Sequence, residues 1–492
     1  MMRRLSICTI LTMAALAVMA QGRIPCDRGA WGGSERAATR GPVYASSVSS
    51  LSGSYHVPVV LAAFKDVPFT VENVKQEWDA MLNQQGFSKN GAAGCVSEYF
   101  KKQSGGRFNI TFDLIGPVNL PDSMKYYGEN QSGSSGEDMR PEQMIVDACQ
   151  GADTDFSPYD WDGDGTIDVV LVIFSGHGEN RGGTPDAIWP HKYNIYGKKV
   201  GELSLRTYAC VSELGSSDAI DGYGTLCHEF SHTLGLPDLY PISGSAYSIF
   251  DEWDLMDGGN YANKCWSVPN YSAFERNICG WYEPVELSEA TTISAMPAID
   301  DEMVAYIIRN NDDPKDYYIV ENRQQRGWDA YVPGNGLLIT HVDHYDGSLA
   351  PNDSYKTQVG LVFADNRTYR ESEAFFGKTY SQKYTADGHN RYLSLAAYPY
   401  IVGDSINDFL SEYSIPAMTF SKPITNIRMA SDGTISFDFM KGSVAISSAS
   451  RDTDSTPVAW YDLNGRQLPA PPSQRGLYIV RYANGNTRKL IK

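Results

Sequence analysis

Positive charge and long apolar runs are both scarce in this sequence. Its 492 residues include 41 Lys and Arg against 59 Asp and Glu, which gives a formal net charge of −18. That balance argues against nucleic-acid binding, because a phosphate backbone is bound through basic side chains. Beyond the first twenty residues no uninterrupted apolar stretch is long enough to span a bilayer, so we expect no transmembrane anchor in the mature protein.

The first twenty residues, MMRRLSICTILTMAALAVMA, have the pattern of a secretory signal peptide. Arg3 and Arg4 provide the basic start, an apolar stretch follows, and residues 18–20 fit a cleavage site. A membrane anchor is the alternative interpretation. We therefore expect an exported protein, secreted or held at the cell surface, in which residues 21–53 form a propeptide or linker.

Cys-x-x-Cys pairs are absent, which argues against a cysteine-ligated zinc site. Seven cysteines lie beyond residue 20: Cys26, Cys95, Cys149, Cys210, Cys227, Cys265 and Cys279. An odd number leaves at least one thiol unpaired within an exported chain. Cys26, beside Arg23 and Arg28, is a candidate for a thiolate that binds a metal and holds an enzyme latent, and an ordinary surface cysteine is the alternative.

The remaining composition is that of a globular protein, with 42% hydrophobic and 20% charged residues, and the chain is too long for a single core. Strand-like runs alternate with helical segments over residues 54–289, which predicts an α/β or α+β catalytic domain with VVLVIFS (169–175) as a central strand. Short strand-like runs between Gly, Asp and Asn turns predict a β-rich domain over 290–442. Segments around Asn-Gly turns predict hairpins in a small β domain over 443–492.

The stretch LCHEFSHTLGLPDLYP, residues 226–241, is rich in side chains that bind metals. Positions i and i+4 share one face of a helix, so His228 and His232 would aim both imidazoles at one ion, with Glu229 beside them. Gly235 tolerates a positive φ and can end the helix with a sharp turn before Asp238. A surface helix with two solvated histidines is the alternative. The spacing favours a zinc site.

Two carboxylates compete as the third ligand of that site. Asp238 lies six residues beyond His232, and Glu252 lies twenty beyond it, the separation found in thermolysin-like enzymes. The segment PISGSAYSIFDEW shows no apolar period for the second helix of such enzymes, so Asp238 is favoured and Glu252 stays open. Met256, in the turn WDLMDGG, is predicted to lie beneath the metal.

The run from His228 to Tyr240 resembles the motif of the immune inhibitor A-type zinc metalloproteases, a metzincin-like family. VPVVLAAFKDVPFT, YDWDGDGTIDVVLVIFSGHGE and YYIVENRQQRGWDAYVPGNGLLITHVD also look like that family's catalytic region, and the resemblance covers residues 55–345. It implies a metzincin-like fold and a catalytic zinc bound by His228, His232 and Asp238. The broader metzincins have a third histidine where this chain has the aspartate.

Three protein ligands and one open position imply a zinc-activated water as the nucleophile, with Glu229 as the general base that passes its proton to the leaving amine. The implied reaction is hydrolysis of internal peptide bonds in proteins or peptides. A surface adhesin on a catalytically dead protease fold and a zinc hydrolase of a non-peptide amide are the alternatives. The presence of Glu229 together with both histidines disfavours the adhesin.

A second acidic constellation occurs in DWDGDGTID, where Asp160, Asp162 and Asp164 alternate and Asp168 follows. Alternating oxygen ligands match the first half of an EF-hand loop, which predicts a structural calcium site. The twelfth position is Leu171 rather than Glu, so the loop is not an EF-hand. An acidic turn without an ion is the alternative.

The C-terminal segment WYDLNGRQL, with GLYIVRYANGNTRKLIK after it, resembles the small β-sandwich sorting tails of exported Bacteroidetes proteins. A generic accessory β domain is the alternative. With the signal peptide, this resemblance indicates an exported bacterial protein.

Overall fold

The computed structural model describes residues 52–131, 137–240, 249–343, 358–361, 397–398, 422 and 424–441, and residues 457–491 with short gaps. The predicted signal peptide, the predicted propeptide up to residue 51 and Cys26 lie outside the described residues. The chain divides into two compact units, Met1–Met440 and Lys441–Lys492. Across the described ranges, every helix is too short or too polar to cross a membrane.

Six α-helices and nineteen strands are present in the described residues. The helices are α1 (Val74–Asn83), α2 (Val96–Gln103), α3 (Met124–Gly128), α4 (Pro141–Gly151), α5 (Gly224–Thr233) and α6 (Ala273–Ile278). The strands up to residue 214 are β1 (Gly53–Ala63), β2 (Phe108–Asn119), β3 (Thr166–Ile167), β4 (Val170–His177), β5 (His191–Val200) and β6 (Leu203–Leu214). Nine strands follow in the same unit: β7 (Val285–Glu286), β8 (Thr291–Met296), β9 (Ala305–Arg309), β10 (Asp316–Arg323), β11 (Gly336–Asp343), β12 (Val359–Leu361), β13 (Ala397–Tyr398), β14 (Ile424–Met429) and β15 (Ile435–Phe439). The last four are β16 (Pro457–Tyr461), β17 (Gln467–Leu468), β18 (Leu477–Tyr482) and β19 (Thr487–Ile491).

The first six strands form one sheet in the order β2-β1-β4-β6-β3, with β5 paired to β6. All pairs in it are parallel except that of β5 with β6. Parallel neighbours need crossover connections, and helices α1 and α2 lie between β1 and β2 in the chain. The expected α/β organisation of this region is confirmed.

Alternate residues of this sheet face two different helical layers. Val57, Val59 and Leu61 of β1 pack in a core that also contains residues of α1, α2 and α5. Val60 and Ala62 pack in a second core with residues of α4. Because both faces are covered, central strands such as β4 are apolar on both sides, which explains why they read as continuous apolar runs.

From residue 285 onward, the described part of the first unit forms nine strands, β7 to β15. One sheet has the order β12-β11-β10-β9-β7 with β13 paired to β11, and another has the order β14-β15-β8. Ile307 of β9 and Ile319 of β10 belong to the same hydrophobic core as Tyr271 and Trp281. The expected β-rich region is present, and part of its core is continuous with that of the α/β region.

The second unit, Lys441–Lys492, contains one antiparallel sheet in the order β17-β16-β18-β19. Trp460 pairs with Leu468 across one predicted hairpin, and Tyr478 pairs with Leu490 across the other. Both predicted hairpin pairings are therefore confirmed.

Candidate metal centre

Helix α5 carries His228 and His232 and ends at Thr233, two residues before Gly235, where the sequence predicts a turn. Gly235 has a φ of 94°, a left-handed conformation that glycine adopts without a Cβ penalty. The Gly235 and Leu236 amides donate to the carbonyls of His232 and Ser231, at 3.1 and 3.3 Å, and so satisfy the last carbonyls of the helix. The chain then reverses towards the helix, which brings Asp238 back to the histidines.

His228, His232 and Asp238 form a compact buried group. Nε2 of each histidine lies 3.2 Å from Oδ1 of Asp238. The two imidazole rings are 4.7 Å apart between centroids and nearly perpendicular, at 85°. At most 2% of any of the three side chains is exposed, so solvent cannot supply the polar partners that these atoms require.

Backbone carbonyls fix which ring nitrogen carries the proton. Nδ1 of His228 lies 2.8 Å from the Leu255 carbonyl, and Nδ1 of His232 lies 2.8 Å from the Leu236 carbonyl. A carbonyl oxygen can only accept, so each Nδ1 is the donor. In a neutral imidazole the Nε2 atom then has a bare lone pair, and both lone pairs face Asp238.

Lone pairs that face a carboxylate need a cation between them, and either a proton on Nε2 or a metal ion provides one. Nε2 of His228 and both carboxylate oxygens of Asp238 are buried and make no hydrogen bond with any described residue. Burial alone would raise the pKa of Asp238, but His232 and His228 lower it well below its usual range, so the carboxyl is an anion. With a divalent metal in place of the Nε2 protons, the two imidazole nitrogens and the anionic oxygen form a ligand set that fits the ion.

The spacing of the donor atoms also fits a small tetrahedral ion. Ligands about 2 Å from a tetrahedral zinc lie about 3.3 Å from one another. The 3.2 Å separations between the histidine nitrogens and Asp238 match that value. These two separations fit zinc, and all three ligand atoms lie within 4.8 Å of one another.

The other residues expected at the site differ in their burial. Glu229 follows His228 on α5 and is only 1% exposed. Met256 is fully buried, and its carbonyl accepts a hydrogen bond from the amide of Leu239, the residue after Asp238. Glu252 is exposed and is not part of the ligand group, whereas Asp238 is. The sequence gives no signal for the Leu255 and Leu236 carbonyls, because any residue type provides a carbonyl.

The aspartate loop brings three of its four acidic side chains together. Oxygen atoms of Asp160, Asp162 and Asp168 lie within 4.8 Å of one another, and Asp164 is not in that group. Asp160 accepts hydrogen bonds from the amides of Gly163, Asp164 and Gly165, at 2.9 to 3.0 Å. Burial raises the pKa of Asp168, its hydrogen bond from the Trp161 amide lowers it, and the neighbouring carboxylates raise it further.

Comparison with known proteins agrees with the geometry of the site. Residues 72–281 match the family model of the immune inhibitor A peptidase M6 catalytic domain. The chain is 28% identical to immune inhibitor A of Bacillus thuringiensis subsp. alesti over 231 residues, which cover 39% of this chain and 33% of that protein. It is 26% identical to the pre-pro-metalloprotease PrtV of Vibrio cholerae serotype O1 (strain M66-2) over 217 residues, which cover 38% of this chain and 23% of that protein.

This chain thus spans a third or less of the length of these curated relatives. The family resemblance expected from the motif is confirmed for residues 72–281, which match a metallopeptidase catalytic domain. The match does not extend to the predicted C-terminal domain, so its resemblance to sorting tails stays a prediction.

Proposed function

We propose that this chain, whose residues 72–281 form an M6-type metallopeptidase domain, is an exported zinc endopeptidase. One observation carries the proposal: Nε2 of His228 and Nε2 of His232 each lie 3.2 Å from the same carboxylate oxygen of the buried Asp238. The combination of His, His and carboxylate with an open fourth position is the ligand set of zinc hydrolases. The turn after Gly235 and the buried Met256 support a metzincin-like arrangement of these ligands.

Bound zinc would supply a more acidic water and a Lewis acid for the scissile carbonyl. Glu229, one residue from a ligand and buried beside it, takes the proton of the attacking water and transfers it to the leaving amine. Leu255 and Leu236 hold the two rings in the tautomer that leaves Nε2 free for a metal. The substrates we propose are proteins or peptides cleaved at internal bonds.

Export is supported by the signal-like first twenty residues and by the name of the Vibrio relative, a pre-pro-metalloprotease. Secretion and retention at the cell surface both fit this pattern.

A chelation experiment on the purified chain tests this function. We expect cleavage of denatured casein, loss of cleavage when a zinc-selective chelator removes the metal, and recovery when zinc is returned. Calcium returned alone is the control and should not restore cleavage. Casein cleavage that persists in metal-free protein would contradict the proposal, and a zinc-loaded chain that cleaves no protein would favour the adhesin or the non-peptide hydrolase.

A structural calcium at the aspartate loop is a second, independent part of the proposal. It is supported by the convergence of Asp160, Asp162 and Asp168, whose negative charges repel one another without a cation. Asp164 contributes its backbone amide to the loop by donating to Asp160. The ion would tie the loop to β4, which begins two residues after Asp168.

A further inference from the structure

A buried ionic cluster lies between the β-rich region and the α/β region. Its centre is Arg323, the last residue of β10, whose side chain is fully buried. Its Nε and Nη2 donate to the two carboxylate oxygens of Asp329, both at 2.7 Å, and its Nη1 donates to Glu321 at 3.0 Å. Burial disfavours the charged guanidinium, but the two carboxylates outweigh this and raise the pKa of Arg323 above its usual value. The arginine is a buried, fixed cation.

The same guanidinium also contacts Trp253, which lies in the turn that leads to Met256. Nη2 of Arg323 lies 3.3 Å from the Trp253 carbonyl and 3.3 Å from the Asn270 carbonyl. The guanidinium carbon lies 5.9 Å from the centre of the Trp253 ring, within the range of a cation–π interaction. Asp329, clamped by Arg323, also accepts the Asn270 amide at 2.9 Å. The Arg323 side chain therefore contacts both the segment at Trp253 and the segment at Asn270.

The turn held in this way is the one that orients a metal ligand. The Leu255 carbonyl, two residues after Trp253, accepts the proton of His228 Nδ1. The Met256 amide donates to the side chain of Asp254 at 2.8 Å, and the Met256 carbonyl accepts from Leu239 at 2.9 Å. A shift of Trp253 would therefore displace the Leu255 carbonyl, which orients His228. It would also displace the Met256 carbonyl, which binds the amide of Leu239 beside Asp238.

We propose that Arg323 is a positioning residue for the zinc centre, contributed by the β-rich region. This rests on the proposed zinc site, and it places a determinant of metal affinity outside the matched residues 72–281. Partners that orient metal-ligating histidines change metal affinity about 10- to 100-fold when they are lost. Arginine is required because its planar guanidinium binds both carboxylate oxygens of Asp329. Its Nη2 atom also contacts the Trp253 and Asn270 carbonyls. Lysine keeps the charge but cannot make these contacts together.

The test compares Arg323→Lys with Arg276→Lys, both in a Glu229→Gln background that prevents self-cleavage. Arg276 is also fully buried, donates to Gln103 at 2.7 Å and to the Asn270 side chain at 3.5 Å, and makes no hydrogen bond to the turn 253–257 within the described residues. The full chain is loaded with zinc, and the rate of zinc loss to a chromogenic chelator is measured. We expect Arg323→Lys to lose zinc about 10- to 100-fold faster than its parent, and Arg276→Lys to match the parent.

A second readout separates positioning from general destabilisation. With Glu229 restored, excess zinc should return most of the casein cleavage of Arg323→Lys, because the chemical groups are intact. Equal zinc-loss rates for Arg323→Lys and the parent, or equal acceleration in both lysine variants, would overturn the proposal. If Arg323→Lys does not fold, Asp329→Asn replaces it, with the same expectation and the same overturning results. A parent chain that never holds zinc would instead refute the zinc site itself.

Discussion

Asp238 and Glu252 are the two carboxylates that the sequence offers as the third ligand, and their surroundings differ. Asp238 is fully buried and faces both histidines, whereas Glu252 is exposed. A buried anion without a compensating cation would cost several kcal/mol of stability, so Asp238 rather than Glu252 is the carboxylate whose position fits a metal ligand. The preference for Asp238 over Glu252 rested on a turn and on a missing helical pattern, and the arrangement of the chain supports the same choice.

We predict that Asp238→Ala empties the site and that Glu252→Ala does not. Loss of a ligand should weaken zinc binding by more than the 10- to 100-fold typical of an orienting partner. Zinc content after mild chelation, measured in both purified variants and in the parent, checks this. A Glu252 variant that loses zinc while the Asp238 variant keeps it would replace the metzincin-like ligand set with a thermolysin-like one.

At the residue scale, the sequence predicts the side chains of the site but not the backbone carbonyls that orient the two histidines. His228, Glu229 and His232 are recognisable because helical spacing alone places them together. The carbonyl of Leu255 lies 27 residues from His228 in the chain. No side-chain pattern marks it, since its role depends only on where the backbone passes.

At the scale of elements, apolar runs predicted strands well where both faces of the strand are buried. VVLVIFS corresponds to β4, and VPVVLAAF lies largely within β1. The antiparallel strand β5 contains Gly197 and the exposed Lys198 and Lys199, so it has no apolar run to indicate it. Its pairing with β6 comes from tertiary contacts that the local sequence does not encode.

The aspartate loop is an element whose proposed ion can be tested by stability. We predict that calcium at about 100 times its dissociation constant stabilises the parent by about 2.7 kcal/mol and raises its Tm. Asp162→Asn should abolish this increase because it removes one negative charge from the group. Asp155→Asn is the matched control, since Asp155 lies outside the group of converging carboxylates. Its side-chain oxygen accepts a hydrogen bond from the Ser157 amide at 2.9 Å, which an asparagine oxygen can also accept. A parent chain whose Tm does not change when calcium is added would contradict the proposed site.

At the scale of the molecule, the sequence predicted the change from α/β to β-rich texture but not how the two regions share a core. Ile307 and Ile319, on either side of the β9–β10 pairing, belong to the core that also contains Trp281. Arg323 contacts Trp253 and Asn270 across the same junction. Composition reports which residues are apolar, whereas long-range packing decides which of them meet. The β-rich region therefore packs against the segments that lead to the candidate metal centre.

The proposed role of Glu229 is to act on a substrate beside a zinc held by His228, His232 and Asp238. Its most direct test measures bound zinc and casein cleavage on the same preparations of the full chain and of Glu229→Gln, which keeps the shape of the side chain and removes the base. We predict an unchanged zinc content and cleavage slower by about 10²- to 10⁴-fold, the range for loss of general acid–base catalysis. Near-full cleavage by the zinc-loaded variant would contradict the account.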